Sequence, residues 1–467
     1  MIQRRSFLAV AAAVATALIH TSTSAASSPA DTHGTRVRLT LFPPTGRLDV
    51  GAVSLHLVDY NRQDPYFSTP HARELMVTVW YPADLDCNDR AHEDGPAKTR
   101  SEQPWPLMAW KSPGTLVYYR PQLEHHLENL PAELVSPTPG SPPPAPPPPT
   151  IVDISLDNVA FPTTHARLGA PVARSKSPYP VVLYSPAGGD GREHGTMLAE
   201  DLASRGYIVV AMSHTYNASQ VEFPDGRIER GVEDPLHIPA HLNIGSEVVQ
   251  GVHVADARFV IDKLTELAAG LNPDAALRRL PVGLHRALDM SRIGMFGHSV
   301  GGGATAHALA LDYRIAAGID LDGSIFPLNG AHASPPATRL EETRKELARV
   351  AKLVGARSFM AITSSKSPER TGVLLNGFYS ELTGYRRLAN LVGGIHGDFE
   401  DLRSLVRQLV DTRVIPPQLQ RGNLQPARSI AVQRAYIAAF FDLSLKNKDN
   451  HLLDGASAAY PEIELYF

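Results

Sequence analysis

Gly297-His298-Ser299-Val300-Gly301 has the pattern G-x-S-x-G. It follows an apolar run, Arg292-Ile293-Gly294-Met295-Phe296, and precedes Gly302-Gly303-Ala304 and a helical pattern. In that strand-turn-helix setting the glycines permit a turn too tight for side chains, which holds the Ser299 hydroxyl above a sheet and aims it at a general base. The chemistry expected is nucleophilic attack by Ser299, with the Val300 N–H donating to the oxyanion that forms. The plainer alternative for these residues is a glycine-rich connection with no catalytic role.

A serine nucleophile needs a base to take its proton and an acid to orient that base, and in this strand order both follow the serine. Gly318-Ile319-Asp320-Leu321-Asp322-Gly323 ends one apolar run, and Gly393-Gly394-Ile395-His396-Gly397-Asp398-Phe399 ends another. His396 is the expected base among the 19 histidines because of its place after a strand. His125, His126 and His307 read as surface or helix-packing residues. Asp322 is the expected acid, standing before Gly323 and beyond the strand end, with Asp320 as its rival. The second oxyanion donor belongs to the loop after an earlier strand, and Ser185-Pro186-Ala187-Gly188-Gly189-Asp190-Gly191 places Gly188 there. The Gly301-Gly302-Gly303 run lacks the downstream lysine of a phosphate loop, and no H-E-x-x-H spacing points to a metal. No cofactor is expected.

These residues require strands to end beside one another. Beyond residue 178, continuous apolar runs alternate with helical patterns: strand Val181–Tyr184, helix 195–205, strand Tyr207–Met212, helix Gly245–Leu267, and strand Arg292–Phe296. Then follow helix Gly301–Leu311, strand Ile315–Ile319, helix Ala337–Leu353, strands Ser358–Ile362 and Leu388–Leu391, and helices over 399–410 and 429–445. That alternation predicts an α/β fold with a mostly parallel sheet covered on both faces. Nearer the N-terminus, Val37–Leu41, Val53–Val58 and Leu75–Tyr81 alternate as half-buried strands and predict an antiparallel trio. No helical complement is evident before Pro131. Ten of the 39 prolines fall in 131–150, an insertion that favours polyproline II and interrupts one domain.

The 467 residues carry 44 Lys+Arg and 48 Asp+Glu, a formal charge of −4, with no basic block, which disfavours nucleic acid as a partner. Cys87 is the only cysteine, so no intrachain disulfide is possible. Arg4-Arg5, the apolar run Ala9–Ile19 and the small residues Thr23-Ser24-Ala25-Ala26 read as a twin-arginine-like signal peptide over residues 1–26, which predicts a secreted or periplasmic protein. No later stretch reaches 18 consecutive apolar residues.

Taken as an ordered set, the motifs resemble the platelet-activating factor acetylhydrolases of the plasma and isoform II type, within the α/β-hydrolases. The likeness runs through Val77-Thr78-Val79-Trp80-Tyr81-Pro82, Pro180 to Gly189 with Leu202 to Val209, Gly297 to Gly302, Leu321-Asp322-Gly323 with Phe326-Pro327-Leu328, and His396 to Phe399. It implies Ser299 as nucleophile, Asp322 as acid, His396 as base and the Gly188 and Val300 amides as oxyanion hole. It also implies calcium-independent hydrolysis of short acyl groups from phospholipid-like esters. One departure is Pro186-Ala187, where many relatives carry a His-Gly pair. A general short-chain or polyester carboxylesterase and a non-catalytic binding protein are the competing readings. The helical pattern over 337–354 sets Leu340, Leu347, Val350, Ala351 and Val354 on one side. That side either covers the sheet or touches lipid aggregates.

Overall fold

The structure is a computed structural model, and it describes residues 36–66, 70–86, 105–129, 154–231, 246–326, 328, 336–364 and 377–466. The expected signal peptide at 1–26, Cys87 and the proline-rich 131–150 lie outside the described residues. Val37–Phe467 forms one compact unit.

Its main sheet is built from β1 (Asp49–Gln63), β2 (Ala72–Ala83), β3 (Leu107–Ala109), β4 (Thr163–Leu168), β5 (Tyr179–Ser185), β6 (Ile208–Ser213), β7 (Leu288–His298), β8 (Ile315–Leu321), β9 (Ser358–Ser364), β10 (Arg386–Leu391) and β11 (Ile463–Tyr466). Their spatial order is β11-β10-β9-β8-β7-β5-β6-β2-β1-β4-β3. From β10 through β6 all neighbours are parallel, whereas β1–β2, β2–β6 and β10–β11 are antiparallel. The expected mostly parallel α/β sheet is therefore present, with antiparallel strands at both flanks.

The helices are α1 (Pro113–Asn129), α2 (Thr196–Ser204), α3 (Ser246–Ala268), α4 (Val300–Leu311), α5 (Pro336–Val354), α6 (Asp401–Asp411) and α7 (Pro426–Lys446), alongside shorter turns. Side chains of a strand alternate between faces, so each central strand feeds two cores. On β5, Val182 and Tyr184 join α2, α6 and α7 in one core. Val181 and Leu183 join α3, α4 and α5 in the other.

Two expectations are corrected, and the packing of α5 decides between two alternatives. Val37–Leu41 is not a third antiparallel strand: only Val37–Arg38 pairs, in parallel, with Val159–Ala160, in a separate two-stranded sheet. A helix does precede Pro131, namely α1, which carries Pro121 in its interior and so hides its periodicity. Finally, Leu347, Val350, Ala351 and Val354 of α5 are all buried in the second core, none more than 1% exposed. This side of α5 covers the sheet and is not free to enter a lipid surface. No helix among the described residues is long and apolar enough to cross a membrane.

Candidate active site

The catalytic geometry begins where β7 turns into α4. Ser299 sits between them with φ 56° and ψ −120°, a conformation that L-residues rarely adopt and that functional turns maintain under strain. Two contacts hold it there. The Ser299 N–H donates to the Leu321 carbonyl at the end of β8 (3.0 Å), and the Gly303 N–H donates to the Ser299 carbonyl (3.2 Å). The close approach behind the turn demands glycine: a Cβ on Gly301 would lie 2.2 Å from the Ser185 carbonyl oxygen. The strand-turn-helix context read from G-x-S-x-G is thus present, and the serine side chain is only half-buried.

His396 follows β10 and meets Ser299 from the next loop, with Nε2 3.0 Å from Ser299 Oγ. Its loop is braced by Asp398, whose carboxylate accepts from the Ile395 N–H (2.8 Å) and from Arg403 Nε (3.2 Å). The other ring nitrogen, Nδ1, lies 2.7 Å from Asp322 Oδ2. A tautomer that donates Nδ1–H to Asp322 leaves Nε2 as the acceptor for the serine hydroxyl, the arrangement a general base requires.

Asp322 stands one residue past β8 at φ 51°, a left-handed position that aspartate tolerates. Its side chain is buried, and it also accepts from the Ser364 N–H and hydroxyl, each at 2.9 Å. Burial by itself would raise the carboxyl. The hydrogen bonds from His396 and Ser364 outweigh it and hold Asp322 at about 2, so it is ionised at neutral pH. Ser364 was not apparent in the sequence, because it lies 42 residues away at the end of β9 and nothing local marks it. Asp320, the rival acid, points elsewhere: its Oδ1 accepts from the Gly323 N–H at 2.7 Å and braces the turn.

The two residues expected to supply the oxyanion donors are neighbours. Gly188 is exposed in the loop after β5, and a Cβ placed on it would have Val300 Cγ1 as its nearest neighbour at 3.8 Å. The adjacent Gly189 N–H donates to the Asn217 carbonyl and the Asp190 N–H to the Ala187 carbonyl. The Gly188 N–H meets no backbone acceptor among the described residues. Val300 is the first residue of α4, where an amide has no partner within its own helix.

A buried network holds this loop from behind. Ser185 Oγ lies 2.9 Å from His214 Nε2, and His214 Nδ1 lies 2.8 Å from Asp256 Oδ2. Arg73 closes it with a hydrogen bond to Asp256 at 2.7 Å. This is a second Ser–His–Asp arrangement, yet all three residues are at most 1% exposed. No substrate reaches it, and burial, outweighing the nearby Asp256, keeps the His214 ring below its ordinary range. Its place is under the loop that carries Gly188.

The fold and the convergence of Ser299, His396 and Asp322 define an α/β-hydrolase with a complete Ser–His–Asp constellation. The family model for platelet-activating factor acetylhydrolase, isoform II, matches residues 277–460. A probable 1-alkyl-2-acetylglycerophosphocholine esterase of Arthroderma benhamiae is 28% identical over 291 residues, 61% of this chain and 65% of that protein. A platelet-activating factor acetylhydrolase of Canis lupus familiaris is 27% identical over 184 residues, 36% of this chain. The chain therefore spans 65% and 40% of the lengths of these two relatives. Among solved structures, a ferulic acid esterase from Streptomyces cinnamoneus superposes with a TM-score of 0.62 at 30% identity, covering 92% of this chain and 99% of that one. Residues 277–460 are thus similar to the platelet-activating factor acetylhydrolase isoform II family, and the fold is that of the α/β-hydrolases.

Proposed function

We propose that the protein is a secreted serine esterase that cleaves short acyl groups, with a 1-alkyl-2-acetylglycerophosphocholine-type ester as its preferred substrate. The observation that carries this reading is the continuous relay from Asp322 through His396 to a half-buried Ser299 at a strained turn. In the proposed reaction Ser299 Oγ attacks the ester carbonyl while His396 Nε2 takes its proton. The amides of Gly188 and Val300 hold the oxyanion, and the proton passes to the departing alcohol oxygen. Water then attacks the acyl-enzyme with His396 as base again, releasing the acid and restoring Ser299. Nucleophile, base and oxyanion donors are all protein groups, so the step needs no added cofactor. Asp322 stays ionised throughout and stabilises the imidazolium.

The kinship with a 1-alkyl-2-acetylglycerophosphocholine esterase supports the acetyl phospholipid substrate. The Arg4-Arg5 leader supports export. Contact with lipid aggregates, in this reading, is made by a surface other than the apolar side of α5. A second reading, a general short-chain carboxylesterase or polyester hydrolase, draws on the likeness to a ferulic acid esterase. Hydrolysis rates on a matched panel separate the two: sn-2 acetyl phospholipid, long-acyl phospholipid, p-nitrophenyl esters, a feruloyl ester and a polyester. The first reading predicts the highest kcat/KM on the acetyl phospholipid. A preference for the feruloyl ester or the polyester would replace it with the second.

A further inference from the structure

Beneath His396 lies a group of side chains that the ester chemistry does not use. His298, the residue before the nucleophile, is fully buried, and its ring lies tilted at 44° to that of His396 with centroids 4.5 Å apart. Its Nδ1 stands 3.3 Å from Glu400 Oε1, yet neither ring nitrogen makes a hydrogen bond of normal geometry to a side chain. His194 is in the same condition. It too is buried, and its Nδ1 is 2.6 Å from Asp190 Oδ1 but outside hydrogen-bonding geometry. One donor atom each from Asp190, His298 and Glu400 lies within 4.8 Å of the other two.

We propose that Asp190, His298 and Glu400 form a binding site for one divalent cation of the zinc class, with His194 as the outer residue that orients Asp190. Three considerations lead there. Two carboxylates, each 16% exposed, lie beside the buried His298 ring, and the only ion-pair partner of Glu400 among the described residues is His298. Like charges set close together and largely shielded from water favour a cation or a proton between them. A proton on Glu400 would settle the carboxylates alone, whereas a cation would also engage the His298 ring nitrogen that faces Glu400.

The spacing fits as well. Two ligands at about 2.0–2.1 Å from a tetrahedral ion stand about 3.4 Å apart, close to the 3.3 Å between His298 Nδ1 and Glu400 Oε1. The donor set then selects the ion. The His298 ring offers one imidazole nitrogen to the group. One imidazole with two carboxylates suits zinc, whereas calcium and magnesium prefer sites made of oxygen alone. Two carboxylates also neutralise the ion, so it brings no net positive charge toward the imidazolium that forms on His396.

The ligands come from the three segments that build the candidate active site. Asp190 is in the loop of Gly188, His298 precedes Ser299, and Glu400 follows His396 by four residues. An ion here ties these segments together from below and touches no substrate. The proposal therefore rests on geometry alone and not on the esterase reading, and its test needs no activity measurement.

The full mature protein, purified without chelators, is assayed for metal content. It is then stripped with a chelator and titrated separately with Zn²⁺, Ca²⁺ and Mg²⁺, following a competing metal indicator and the melting temperature. The same titration on His451→Ala removes the exposed Asp449–His451–Asp454 group, the other cluster among the described residues that could take an ion. The expected result is about one zinc per chain, a rise in melting temperature with Zn²⁺ alone, and no change in His451→Ala. Glu400→Gln has the shape of a protonated glutamic acid and should abolish binding, and His194→Ala should weaken it by about 10- to 100-fold. No saturable zinc site in the stripped wild type would overturn the proposal, as would zinc binding undiminished in Glu400→Gln. Should Glu400→Gln fail to fold, the wild-type titration decides by itself.

Discussion

Asp322 Oδ2 lies 2.7 Å from His396 Nδ1, whereas the neighbouring Asp320 hydrogen-bonds the Gly323 amide one turn away. The two carboxylates are two residues apart and equally buried, so their substitution separates catalysis from bracing. Asp322→Asn should lower kcat on the order of 10⁴-fold, because an amide that donates to Nδ1 enforces the wrong tautomer. Asp320→Asn keeps an acceptor for Gly323 and should stay within about tenfold of wild type, while Asp320→Ala should lose about 1–3 kcal/mol of stability. Steady-state kinetics and denaturant unfolding of the three variants check this, and a crippled Asp320→Asn beside a normal Asp322→Asn would reverse the assignment.

The oxyanion role of Gly188 is open to a backbone test. A Cβ there meets only Val300 Cγ1, at an ordinary contact distance, so Gly188→Ala should fold with wild-type stability. Gly188→Pro removes the N–H itself and should cost about 10²–10³-fold in kcat, as the loss of one oxyanion donor does. Equal kcat in the Ala and Pro variants, with melting temperatures matched, would move the donor to another amide.

Acid stability should carry the signature of Asp322. Its carboxyl is held down from an ordinary 3.8 to about 2 in the fold, so the stabilisation is fully present above pH 4 and disappears as pH falls through 2. That difference is worth about 2 kcal/mol. The stability advantage of wild type over Asp322→Asn, followed by urea unfolding from pH 5 to pH 2, should therefore shrink by about that amount. An advantage that stays constant over this range would contradict the ionised, strongly hydrogen-bonded carboxylate.

Leu347 of α5 is 1% exposed within the second core. Leu347→Ala should cost about 2–5 kcal/mol, and Leu347→Glu should unfold the domain or lower its melting temperature much further. Vesicle co-sedimentation of the folded Leu347→Ala variant should match wild type. A loss of vesicle binding with stability intact would return α5 to the membrane.

Much of this site is legible in the chain because its parts are local. Ser299, Asp322, His396, Gly188 and Val300 each sit where an apolar run meets a glycine-rich turn, and the structure brings the five to one end of the sheet. The central strands are legible for the same reason, since β5 through β10 are continuous apolar runs. What escaped was either short or assembled from afar. α1 carries Pro121 and little amphipathic contrast, and β3 has three residues. Ser364 reaches Asp322 across 42 residues. Asp190, His298 and Glu400 meet only through the sheet order, which no spacing rule between positions 190, 298 and 400 reveals. α5 was ambiguous in the chain: its apolar stripe has the same period whether it covers a sheet or a membrane, and only packing separates the two.

The central claim is that Ser299 is the nucleophile, and covalent labelling tests it most directly. A fluorophosphonate is incubated with the wild type and with Ser299→Ala, and the adduct is mapped by peptide mass spectrometry. The account predicts a single adduct on Ser299, none in Ser299→Ala, and loss of ester turnover in step with labelling. An adduct on another serine with turnover surviving in Ser299→Ala would contradict it.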